Sequence, residues 1–131
     1  MATFKAFTEI EAWQKARVLT NAIYTASNDS SFAKDFALRD QIRRASVSIM
    51  ANIAEGFGRS GSTEFLQYLA IAKGSTCEVV SHLYVALDQG YLSKHAFEDL
   101  NRLAGETANL VGGLMKYLTR SNIRGAKYYS R

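Results

Sequence analysis

Apolar residues recur every three or four positions through most of the chain, and the longest such stretch, Leu38 to Leu87, is broken once by a glycine-rich segment. That period stacks side chains on one face of an α-helix, whereas a half-buried strand would alternate every second residue. Ile10, Trp13, Ala16, Leu19 and Ile23 predict a helix over about 9–27, ended by the polar run from Ser27 to Ser31. Leu38, Ile42, Ala45, Ile49 and Ile53 predict a second over 35–57, and Phe65, Leu69, Ala72, Thr76, Val80, Leu83 and Leu87 a third over 63–88. Phe97, Leu100, Leu103, Ala104, Ala108, Val111, Leu114, Met115 and Leu118 predict a fourth over 94–119. The chain contains no proline to remove an amide donor from these segments, so the fold class is all-α with four helices.

Punctuation between the stripes agrees. Thr8, Glu9, Ile10 and Glu11 spell a capping box, Ser62 and Ser93 stand where the third and fourth helices need caps, and Gly90 follows the last periodic residue of the third. Gly74 inside the third helix costs about 1 kcal/mol against alanine and is expected where another backbone comes close, while Gly112-Gly113 weakens the fourth locally, as a kink or a tight packing point. The glycines from Gly56 to Gly61 also match G-x-G-x-x-G, but a dinucleotide site needs a strand before that motif and here a helix precedes it.

The second helix departs from a simple amphipathic pattern. Val47, Met50, Ala51 and Ala54 occupy the side opposite its core stripe, where a surface helix would carry charge. Gln41, Arg44, Ser48, Asn52 and Glu55 form a polar ribbon between the two apolar sides, and Glu78 of the third helix is the expected partner of Arg44. A helix apolar on two sides has more to cover than its own bundle can hide, so the chain is expected to associate with copies of itself. The ribbon then sets register and geometry, as buried polar networks do, and performs no chemistry.

At 131 residues the chain is one domain, with 1–120 in the bundle and 121–131 as a basic tail. Its single cysteine, Cys77, excludes an internal disulfide and a multi-cysteine zinc site, and it is expected to be packed and inert. With neither a signal-peptide pattern nor a membrane-length apolar run, a cytoplasmic protein is expected.

Charge is unevenly placed. The net charge is +4, yet residues 1–115 hold 11 Lys or Arg against 12 Asp or Glu, so the whole excess lies in Lys116, Arg120, Arg124, Lys127 and Arg131. At spacings of four, four, three and four these share one helical face, and such a face attracts phosphates by releasing counterions. Arg43, and Arg59 beside a helix N-terminus, are secondary candidates for anion contact. A di-metal bundle would need inward Glu-x-x-His pairs and none exists, while His82 and His95 lack the arginine spacing of helical-bundle ribonucleases. No catalytic residue, metal site or cofactor is expected.

The run from Gln41 through Ile49, followed by Asn52-Ile53-Ala54-Glu55-Gly56, resembles the four-helix-bundle proteins encoded in intervening sequences of bacterial 23S rRNA genes. The likeness continues through Glu64-Phe65, Tyr68-Leu69, Ala72, Gly74-Ser75 and Glu78, and includes Trp13-Gln14-Lys15-Ala16. Met50 stands where that family often has proline. The resemblance implies an up-and-down four-helix protomer in a ring-like homo-oligomer, a pentamer, associated with RNA or other nucleic acid and without known catalysis. Docking of a partner protein on the ring is the alternative.

Overall fold

The structure, a computed structural model, describes residues 4–124, with side chains as far as Ser121. A 3-10 turn over Phe7–Glu9 leads into α1 (Glu11–Ser27), a short α2 (Ser30–Lys34), α3 (Phe36–Gly58), α4 (Ser62–Asp88) and α5 (Lys94–Arg124). The long helices touch in a closed cycle, α1 on α3, α3 on α4, α4 on α5 and α5 on α1. Short turns join α3 to α4 and α4 to α5, which forces those neighbours to run antiparallel. The α1–α5 pair is antiparallel too: Lys15 meets Glu106 across it, while Ile10, nearer the start of α1, shares a groove with Leu114, nearer the end of α5. Among the described residues the protein is an all-helical bundle without strands.

The core is the four stripes facing inward. Leu19, Ile23, Ile42, Ile49, Ile53, Leu69, Val79, Leu83 and Val111 are all at or below 1% exposure. Each such side chain contributes roughly 1.5–3 kcal/mol relative to leaving it in water, so the packing outweighs the helices' intrinsic propensities. On α4 the fully buried valine is Val79, and the neighbouring Val80 packs half-buried against the core.

The end of the bundle that holds the α4–α5 turn is closed by specific bonds. Asp35 caps α3 by accepting from the Leu38 amide at 3.2 Å. Its other oxygen accepts from the Tyr91 hydroxyl at 2.9 Å, tying the start of α3 to the α4–α5 turn. Phe32, on α2, is 1% exposed and stacks on Tyr91, so α2 plugs this end of the bundle. Gly90, at φ +78, ends α4 with paired bonds from its own amide to Leu87 and from the Tyr91 amide to Ala86. Ser93 caps α5, its hydroxyl accepting from the Ala96 amide at 3.1 Å.

Several expectations need correcting. The capping box does not form: α1 begins two residues later with Ile10 at the cap and no side-chain bond there, while the Thr8 carbonyl accepts from Gln14. The turn over Phe7–Glu9 replaces it, because burying Ile10 draws the chain inward before the helix starts. Ser62 is the first residue of α4 and Gly61 occupies the cap. Gly74 and Gly113 have open space where a Cβ would stand, so neither marks a close backbone approach within the protomer. The close approach is at Gly56, where a Cβ would lie 2.7 Å from the Tyr68 Cβ and 2.9 Å from the Phe65 ring. α5 runs unbroken past Gly112-Gly113 to Arg124. Cys77 is exposed.

Candidate nucleic-acid interface

The polar ribbon of α3 divides into an inner and an outer part. Ser48 meets Ser75 of α4 at 3.0 Å, and the Asn52 amide donates to the Ser48 carbonyl and hydroxyl at 2.8 and 3.0 Å. These three seal the seam between α3 and α4 in a small satisfied network, as partly buried polar atoms require. Gln41, Arg44, Glu55 and Glu78 are exposed in the protomer. No Arg44–Glu78 ion pair forms: Glu78 instead approaches His82, one turn along its own helix, at 3.5 Å. Arg44 and Glu78 sit on the outward sides of their helices, where each side chain reaches water before it reaches the other.

Outward from the Ser48–Ser75 contact, the helical period places Val47 and Ala51 of α3 beside Ile71 and Gly74 of α4. Ile71 is 53% and Val47 42% exposed. Half of the expected two-sided coverage of α3 is therefore present, supplied by α1 and α4, and the other side is open in the protomer. Met50 and Ala54 are half-buried.

Several of the bundle's cations are engaged. Lys15 pairs with Glu106 at 3.1 Å, Arg39 with Asp40 at 3.0 Å, and Arg102 reaches Asp99 and Glu106. Arg59 donates to Glu55 at 2.7 Å and to the Tyr68 hydroxyl at 2.8 Å, and these bonds hold its guanidinium still more firmly charged. It is thus bound to a carboxylate beside the α4 N-terminus. Arg43 stacks on Tyr24, 4.6 Å from its centroid, and donates to Ser27 at 2.8 Å, bracing α3 against α1.

The basic end of α5 is different. Lys116 and Arg120 are exposed and form no ion pair with a described residue. Both line an open groove of about 690 Å³ along α5, with Gly112, Gly113, Met115 and Thr119 beside them. The third cation in the groove is Lys73 of α4, whose Nζ lies 3.7 Å from where a Gly112 Cβ would stand. No carboxylate lines it. The side chain of Arg124, and Lys127 and Arg131 entirely, lie outside the described residues. Lys73 is absent from the basic row read along α5; folding the α4–α5 hairpin about Gly90 is the step that brings it opposite Gly112.

Among the described residues no three His, Cys, Asp or Glu side chains gather to hold a metal ion, and no helix is long and apolar enough to cross a membrane.

Comparison with known proteins bears on this geometry. The family described as 23S rRNA-intervening sequence protein matches residues 8–113. The match takes in Lys73 and the glycine pair and stops short of Lys116 and Arg120. A solved structure of a protein with unknown function from the S23 ribosomal protein family, from Bacteroides thetaiotaomicron, superposes with a TM-score of 0.73 at 25% identity, covering 80% of this chain and 98% of that one. No curated protein matches.

Proposed function

Because the chain belongs to the 23S rRNA-intervening sequence protein family, we propose that it is a non-enzymatic homo-oligomer that associates with RNA or other nucleic acid. The observation that carries this is the end of α5, where Lys116 and Arg120 stand exposed, without ion-pair partners among the described residues, and line one groove together with Lys73. Unpaired cations gathered in one place neutralise phosphates and release their counterions, the dominant sequence-independent term in nucleic-acid binding. One protomer offers few such contacts, so association matters: copies joined through the outer faces of α3 and α4 would present the basic end repeatedly and convert weak contacts into avidity. A ring of five, in the cytoplasm, is the form the resemblance favours, and Val47, Ala51, Ile71 and Gly74 supply a surface of suitable chemistry for it.

The test is fluorescence anisotropy with a labelled RNA at two salt concentrations. Affinity falling steeply as salt rises is expected, and the same affinity at both would contradict a phosphate-dominated contact. Docking of a partner protein is the second reading, favoured by one feature: Val18 of α1 is 51% exposed and lies away from the α3–α4 face. Replacing Val18 with Glu would abolish partner binding on that reading and leave RNA affinity untouched on the first.

A further inference from the structure

The groove between α4 and α5 combines three features that the basic row along the sequence does not contain. Its cations come from two helices, Lys73 on one wall with Lys116 and Arg120 on the other, and no carboxylate lines it to compete with a bound anion. From Ala108 to Arg120 it follows α5 for about 18 Å, at the helical rise per residue, so it is elongated in shape. Gly112 and Gly113 leave the floor without side chains, which lets a strand approach the helix backbone beside the Lys73 ammonium. Among the described residues, the lining contains no aromatic ring on which a base could stack.

Resting on the nucleic-acid reading above, we propose that this groove is the seat of a phosphodiester strand, gripped through its phosphates by Lys73, Lys116 and Arg120. The strand lies along α5 with its backbone towards the glycine pair and its bases outward, so binding is indifferent to base identity. The primary contact is then on the surface of the bundle and spans two helices. Lys73 is a full member of it.

Gly112→Glu tests the assignment without threatening the fold. A Cβ at this position meets only the Lys73 Nζ, at an ordinary contact distance, and glutamate is the better helix former. The new carboxylate stands beside Lys73 and repels phosphate. Asn21→Glu, on an exposed position of α1, makes the same change in net charge away from the groove. The full-length proteins are titrated with an oligonucleotide of about five residues, whose strand at about 3.4 Å per nucleotide matches one groove of about 18 Å, as RNA and as DNA of the same sequence. Gly112→Glu should lose at least tenfold in affinity and Asn21→Glu less than twofold. With three phosphates neutralised, log affinity should fall with log salt at a slope of about −2 for a single strand, and Lys73→Gln should reduce that slope by about 0.7. Similar binding of RNA and DNA is expected from phosphate contacts alone. Equal losses in the two glutamate variants, or full binding by Gly112→Glu, would overturn the groove while leaving wild-type binding intact. Wild-type protein that binds neither nucleic acid would overturn the broader reading, and this one with it.

Discussion

At the scale of single residues, the close contact that matters most in the protomer is at Gly56. The sequence presents it as one of several turn glycines, and nothing in its neighbours says that Tyr68 and Phe65 press on it, since that contact depends on how α4 folds back over α3. Adding a methyl group there drives a Cβ to 2.7 Å from the Tyr68 Cβ, which cannot swing aside as the tip of a long side chain would. Gly56→Ala should therefore destabilise by about 1–3 kcal/mol despite alanine's better helix propensity, measured by urea unfolding. Arg44 is the converse. Its place in the polar ribbon suggests a buried ion pair, but exposure and the missing contact with Glu78 make it a surface residue of the protomer. Arg44→Ala should change the unfolding free energy of dissociated protomers by less than about 0.5 kcal/mol. A larger effect confined to concentrated protein would locate Arg44 at the contact between copies.

At the scale of elements, the long helices are legible because their apolar period persists for many turns, and each observed boundary falls within a few residues of the stripe that announces it. The exception is α2, whose five residues are too few to show a period and whose Ser-rich approach has the composition of a loop. Only Phe32, an isolated large apolar residue in that run, hints that something is buried there. Two polar links between elements should be visible in the pH dependence of stability. The Glu106 carboxyl lies below the usual range, first because it is hydrogen-bonded by Lys15 and further through the charges of Lys15 and Arg102. A depressed folded value means that this contribution is complete above the ordinary glutamate value of about 4.3 and is lost as pH falls through the folded one. Glu106→Gln should flatten the acid limb of the stability profile accordingly. The Tyr91 hydroxyl is held above its usual value, first by its bond to Asp35 and then by burial. Its contribution is complete below about pH 10 and is lost as pH rises further. Tyr91→Phe should destabilise the protein at neutral pH and remove that alkaline loss, as urea unfolding at pH 7 and above pH 10 would show.

At the scale of the whole molecule, the two surfaces on which the proposed function rests differ in how far a sequence exposes them. The outer face of α3 and α4 announces itself through Val47, Ala51 and Ile71, apolar residues opposite a core stripe, because helical periodicity alone separates the two sides. The groove does not, because Lys73 and Lys116 become neighbours only once α4 and α5 are laid antiparallel. Multivalent nucleic-acid binding depends on that outer face being covered by other copies, since one protomer contributes few phosphate contacts. Light scattering of the full-length protein, alone and as the Ile71→Glu variant, tests this most directly. Burying a glutamate in an apolar contact between copies is costly, while at an exposed position of one protomer it is not. Wild-type protein should scatter as a multiple of its 14.5 kDa chain and the variant should fall towards a single chain with its helicity intact. Wild-type protein at 14.5 kDa at every concentration, indistinguishable from the variant, would contradict the account.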